Sequence, residues 1–197
     1  MRLRDAVTVT HQCWLFAIGS TFFAVATAPG AVESAGTANL LCFIGSWFFT
    51  SAAWIQLVRS GPEGTVQWFS AATQFAGTVL FNVSTGAAVT AHAVLTERRL
   101  VWTPDAVGSL AFLVSGVLAI AAVKRWPPNS VDWWANWVNM IGCVAFGVSA
   151  LAAFVRMSGA VVDESVADVG TFVGALCFLV AAVLALPRRP RTARRRP

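Results

Sequence analysis

Charge is what this sequence has least of. Only 12% of its 197 residues are charged and 57% are hydrophobic, whereas soluble domains carry about 25% charged residues. So few charges cannot cover the surface of a water-soluble fold of this size. Loops are equally scarce, since no segment between apolar runs is long enough for a soluble domain. The two histidines, His11 and His92, fall toward opposite ends of their apolar runs. A bilayer's thickness, about 30 Å, would part them, which excludes bis-imidazole haem. Cys13, Cys42, Cys143 and Cys177 show no CxxC spacing and no disulfide framework. GxSxG, HExxH, P-loop and GxGxxG contexts are missing. No catalytic residue, cofactor or metal is expected, and the chain reads as non-enzymatic.

Most telling is where charge is missing. Charge-free windows run from Asp5 to Glu33, Glu33 to Arg59, Glu63 to Glu97, Asp105 to Lys124, Asp132 to Arg156 and Asp168 to Arg188. Each holds close to the roughly 20 apolar residues that a helix needs to cross the hydrocarbon. A charge at mid-membrane costs at least about 2.5–3.5 kcal/mol. The expectation is therefore an all-α polytopic membrane protein with six transmembrane helices, near 11–29, 38–58, 67–90, 104–123, 132–155 and 168–187. The third window, with Thr73, Gln74, Asn82, Ser84 and Thr85, is the most polar. No ionisable residue is expected inside a span, which argues against a proton-coupled pump.

The first window also has the outline of a signal peptide, ending in "AVATAPG". Pro29 directly after the small-residue site disfavours cleavage, so the helix is expected to be retained.

With six spans the termini share a side. Arg2, Arg4, Arg59, Lys124, Arg125 and the tail arginines Arg188, Arg189, Arg191, Arg194, Arg195 and Arg196 fall there, and only Arg98, Arg99 and Arg156 fall opposite. The Lys/Arg excess marks the cytoplasmic face, so both termini are expected in the cytoplasm of a cell-membrane protein. The tail, 188–197, is too basic and proline-rich to fold alone. Its arginines are expected to contact anionic lipid headgroups, each worth about 1 kcal/mol. A nucleic-acid partner is not expected.

The chain repeats. An offset of 65 lays "VQWFSAATQFAGTVLFNVS" (66–84) on "VDWWANWVNMIGCVAFGVS" (131–149), and an offset of 66 lays "GSLAFLVSGVLAI" on "GALCFLVAAVLAL" with eight of thirteen identical. Gly19 and Phe23 match the Gly/Phe pairs at 77/81 and 142/146. Three tandem helical hairpins follow, approximately 11–58, 67–123 and 132–187. "LLCFIGSWFF", "GSLAFLVSGVLAI" and "GTFVGALCFLVAAVLALP" resemble the glycine- and phenylalanine-studded helices of the YrhK-like family of small bacterial membrane proteins. The resemblance implies the hairpin fold over most of the chain and lends no catalytic residue.

"KRWPPNSVDWWANWVNMIG" (124–142) reads as a turn at the membrane edge. Lys124, Arg125, Trp126, Trp133 and Trp134 are expected to anchor at the headgroups, with Trp14, Trp54 and Trp68 near the same face. Pro127 and Pro128 stop one helix, and Asn129 or Ser130 caps the next. Trp137, a turn deeper, is expected to pack inward. Gln74 and Asn139 hold equivalent repeat positions, so their amides are expected to bond across hairpins. Gly170-x-x-x-Gly174, Ser109, Ser115, Gly116 and Ala119 suit close helix packing, within the chain or in a homo-oligomer.

The expected function is a lipid-binding scaffold or accessory subunit that meets other membrane proteins. The alternative is a channel or transporter for a small solute or ion, with Thr73, Gln74, Asn82, Asn136 and Asn139 lining one seam.

Overall fold

Short polar side chains start most of the helices. In the computed structural model, which describes residues 8–91, 93–122, 127 and 129–187, α1 spans Val9–Thr27, α2 Ala35–Arg59, α3 Val66–Ala88, α5 Val131–Ala152 and α6 Glu164–Leu184. Thr8, Ser34, Thr65, Ser130 and Asp163 precede them in extended conformation. Each side chain accepts from the N–H three residues on, satisfying a donor the helix leaves orphaned. His11 closes the first cap: its ring stands 3.3 Å from the Thr8 backbone nitrogen and completes a capping box. His92 lies outside the described residues.

The fourth helix differs. α4 runs Val94–Ala122, 29 residues, with no side-chain cap at Ala93 and a π-helical turn over Glu97–Trp102. Pro104 supplies the reason. It has no N–H and crowds the carbonyl four residues back, and a widened turn relieves this. The Thr103 N–H and hydroxyl both reach the Arg98 carbonyl, the hydroxyl at 2.7 Å.

The expected boundary near 104 is thus corrected to Val94. Glu97, Arg98 and Arg99 read as loop because they are charged, yet they are helical. α5 stops at Ala152 rather than 155, because the chain turns into an isolated bridge between Val155 and Val161.

Five helices are long and apolar enough to cross a membrane: α1, α2, α4, α5 and α6. Among the described residues, five of the six expected spans meet that criterion. α3 has the length, 23 residues, but its buried face carries Ser70, Gln74, Thr78, Ser84 and Thr85.

The helices form a closed ring. α1 packs on α2, α2 on α3, α3 on α4, α4 on α5, α5 on α6, and α6 returns to α1. Val9, Arg59, Gln67, Ala122 and Asp132 gather at one end, called here the near end. Thr27, Asn39, Ala88 and Ala153 meet at the far end. Large apolar side chains cover the outside, Leu110, Val117 and Ile141 among them. That is the inverse of a soluble protein's surface and fits a lipid solvent.

Candidate functional site

Every helix carries Gly-x-x-x-Phe: Gly19/Phe23, Gly45/Phe49, Gly77/Phe81, Gly108/Phe112, Gly142/Phe146 and Gly174/Phe178. Each glycine lies within two residues of its helix midpoint, so all six share one depth. Within each hairpin the two helices cross there reciprocally. A Cβ on Gly77 would lie 3.1 Å from the Gly108 carbonyl and 2.8 Å from the Phe112 ring; on Gly108 it would lie 3.1 Å from the Gly77 carbonyl and 2.7 Å from the Phe81 ring. Gly142 and Gly174 repeat the pattern. Each phenyl ring therefore fills the notch of its partner's glycine.

Six phenylalanines consequently converge on the ring axis. Phe23, Phe81 and Phe146 close a triangle with centroids 6.3, 6.2 and 5.7 Å apart. Phe178 links Phe49 at 5.9 Å and Phe112 at 6.1 Å. Within the hairpins the two layers meet at 5.5, 4.9 and 5.2 Å. Aromatic pairs at such spacing add about 0.5–1.5 kcal/mol each beyond the area they bury. The result is a trigonal prism of rings. It encloses an apolar void of about 10 Å³, at the lower limit for one water, and its walls offer water no partner. The Ser46 hydroxyl on that wall donates to the Phe43 carbonyl at 2.8 Å. The prism is a dry plug.

Polar cavities flank it. At the near end an opening of about 530 Å³, lined by Gln12, Gln56, Arg59, Gln67, Asp132 and Asn136 among others, continues into a pocket of about 160 Å³ that reaches Gln74, Asn139, Phe49 and Phe178. Gln12 donates to Gln56 at 3.4 Å across α1 and α2. Ser70 and Ser115 bond each other's carbonyls at 2.9 Å, and the Ser115 hydroxyl also stands 2.9 Å from Gln74 Oε1. On the far side a cavity of about 230 Å³ descends to Phe23, Phe81 and Phe146, with Asp105 and Asp168 in its wall.

The expected site residues divide among these places. Gln74, Asn136 and Asn139 meet in the near cavity. Asn82 lines none; it donates to Thr50 Oγ1 at 2.9 Å, joining α3 to α2. The bond expected between hairpins from Gln74 and Asn139 is corrected. Gln74 is paired with Ser115 of its own hairpin, and the Asn139 amide reaches Cys143 Sγ, a turn along its own helix, at 3.8 Å. Asn82, on the far side of the plug, is bonded between hairpins, as Thr85 is to Ser46 at 3.1 Å.

Trp133 and Trp134 stand at the start of α5, rings 4.7 Å apart, on the near end with Trp14, Trp54 and Trp68. Trp137 does not pack inward: it is 42% exposed and leans on Trp133. Lys124, Arg125, Trp126 and the six tail arginines lie outside the described residues. Gly170 and Gly174 face α5 of their own hairpin, against Ser149 and Phe146.

Asp105 corrects a further expectation. It was to mark the edge of a span, yet it sits inside α4, three residues from Gly108. That is about 4.5 Å along the axis from the common crossing depth.

No protein-family model, curated protein or solved structure matches the chain.

Proposed function

We propose that this chain is a six-span integral membrane protein that passes a small polar solute or ion along the axis of its helical ring. The observation that carries the reading is the order on that axis: amide-lined cavity, phenylalanine plug, acidic cavity. A scaffold needs no polar interior, and burying amides and carboxylates in a membrane bundle is costly without a use. A hydrophobic constriction closes a pathway by excluding water, and the prism has that character. In this reading α3 spans too. Its polar groups turn toward the cavities and neighbouring helices, so its low hydropathy reflects what it lines. Passage through the ring is not catalysis, and no step of it calls for a cofactor.

The near end is assigned to the cytoplasm by the Lys/Arg excess. Lys124, Arg125 and the tail arginines hold anionic headgroups there, with Trp133 and Trp134 at the interface. The reciprocal Gly/Phe crossing in each hairpin supports three hairpins of one type.

A second reading, the lipid-binding scaffold or accessory subunit, is favoured by an outer apolar groove of about 260 Å³ between α1 and α2, lined by Ile18, Phe22, Val25 and Leu41. In that reading the plug never opens.

Flux decides between them. The full chain is reconstituted in liposomes and osmotic swelling or ion release is followed for the wild type and for Phe146→Ala/Phe178→Ala, which widens both layers. The variant, checked for folding by its melting curve, is expected to leak above protein-free liposomes. If variant and wild type are as tight as lipid alone, the scaffold reading replaces the pathway.

A further inference from the structure

The far cavity is chemically one-sided. Its wall holds two carboxylates, Asp105 on α4 and Asp168 on α6. Several of the donors beside them are already spent on backbone. The Thr27 hydroxyl donates to the Phe23 carbonyl at 2.8 Å, and Thr85 to the Phe81 carbonyl at 2.7 Å. Ser149 donates to the Ala167 carbonyl at 2.6 Å. Trp102 Nε1 donates to the Ala150 carbonyl at 2.8 Å, and Asn39 Nδ2 to the Ala88 carbonyl at 2.9 Å. A hydroxyl that has given away its hydrogen still offers lone pairs. The space therefore presents acceptors and negative charge.

Asp105 is the group that asks for a partner. It is partly buried, and no hydrogen bond or ion pair to it is present among the described residues. A carboxylate so deep in a span, without a partner, marks a functional site by default. The described far-end cations do not serve it. Arg98 lies 5.0 Å over the Phe154 ring and contacts Met157 Sδ. Arg99 and Arg156 are exposed.

The floor selects the kind of cation. Phe23, Phe81 and Phe146 form an apolar aromatic triangle, suited to a weakly hydrated organic ammonium through cation–π attraction. A divalent metal would need more ligands, and no group of three or more His, Cys, Asp or Glu able to hold one occurs among the described residues. At about 230 Å³ the cavity is smaller than pockets for drug-sized ligands, about 300–1,000 Å³.

We propose that the far cavity binds a small alkylammonium cation, with the Asp105 carboxylate as its counter-charge, Asp168 at the mouth and the Phe23, Phe81 and Phe146 rings beneath. This deepens the pathway reading by naming its solute class, but binding at the far side needs no opening of the plug.

Binding is therefore read without flux. The full chain in nanodiscs is titrated calorimetrically with ethylammonium and tetramethylammonium chloride, and with sodium acetate, tert-butanol and potassium chloride for comparison. The two ammonium ions are expected to bind and the others not. Asp105→Asn keeps the shape and is expected to weaken binding about tenfold or more, one full step in free energy on the affinity scale. Asp168→Asn is expected to weaken it less. Asp132→Asn, beyond the plug in the near cavity, is expected to leave it unchanged. Melting curves confirm that each variant is folded. Absence of ammonium binding to folded wild type, equal binding by Asp105→Asn, or potassium binding as tightly as ammonium would each overturn the assignment. Ammonium binding without any flux through plug-widened variants would sink the pathway and leave the site standing.

Discussion

The Gly45 carbonyl stands 2.9 Å from where a Cβ on Gly19 would lie, and the Gly19 carbonyl stands 3.0 Å from the same point on Gly45. A contact this close and mutual exists only because both residues lack a side chain, and lipid drives helix association through such packing.

Methyl groups at the crossings should therefore be costly. In the third hairpin a Cβ on Gly142 would meet the Phe178 ring at 2.7 Å, and on Gly174 the Phe146 ring at 2.6 Å. Gly142→Ala and Gly174→Ala are each expected to lose about 1–3 kcal/mol, the usual cost of overpacking. Gly36→Ala is the control, since its nearest neighbour is Ser34 Oγ at 3.7 Å. There the methyl adds helix propensity, about 0.5–1 kcal/mol at most. Melting temperatures in one detergent compare the three. Equal melting of Gly174→Ala and Gly36→Ala would mean the crossing is not tight.

The contrast shows what the sequence discloses. Helix existence was legible because charge-free windows of membrane length have few alternatives. Gly77/Phe81 and Gly142/Phe146 were visible as a repeat at an offset of 65, Gly108/Phe112 and Gly174/Phe178 at an offset of 66, and Gly19/Phe23 matched the first of these sets. Gly45/Phe49, Gly108/Phe112 and Gly174/Phe178 belong to helices running the other way. The sequence shows each pair along its own helix, but not that the rings of oppositely directed helices meet on the axis. The plug was illegible for that reason, although searching each helix for Gly-x-x-x-Phe would have found its parts. Asp105 was misplaced because charge was taken as a membrane boundary, a rule that fails where a helix lines a polar cavity. Trp137 was misplaced because depth along a helix does not say which way a side chain faces.

Asn82 and Thr50 form a side-chain bond between α3 and α2, a turn from that of Thr85 and Ser46, and Asn82 Oδ1 has no partner among the described residues. Asn82→Ala is expected to cost about 0.6 kcal/mol and not above about 1.7, the measured range for hydrogen bonds between membrane helices. Thr50→Ala should cost a similar amount and the double variant scarcely more. Unfolding in a denaturing detergent series gives the cycle. Strict additivity of the two single variants would show that the bond contributes nothing.

Buried serines should split by partner. Ser109 Oγ is buried without a hydrogen bond, whereas Ser115 bonds to Ser70 and Gln74. Removing an unpaired hydroxyl removes a desolvation cost of about 1–3 kcal/mol, while removing a paired one strands its partners. Ser109→Ala is thus expected to raise the melting temperature and Ser115→Ala to lower it. The same sign for both would refute the distinction.

Sidedness tests the axis itself. Ala119 lines the near cavity and Ala88 the far cavity, with the phenylalanine prism between them. In a chain whose native cysteines are replaced, Ala119→Cys and Ala88→Cys each place one thiol in a wet wall at the cost of a single sulfur. A charged, membrane-impermeant methanethiosulfonate then reads which aqueous compartment each thiol meets. Inverted vesicles expose the near end if the Lys/Arg excess orients the chain as it does elsewhere, so they should label Ala119→Cys and spare Ala88→Cys. Right-side-out vesicles should do the reverse. Both thiols labelled from one side would mean that the cavities do not face opposite compartments, and the axial pathway would fail with them. Combining each with Phe146→Ala/Phe178→Ala removes two stacked rings, 5.2 Å apart, that belong to both layers of the plug. Labelling should then proceed from either side. If it stays one-sided while the protein is folded, the four remaining rings close the passage by themselves.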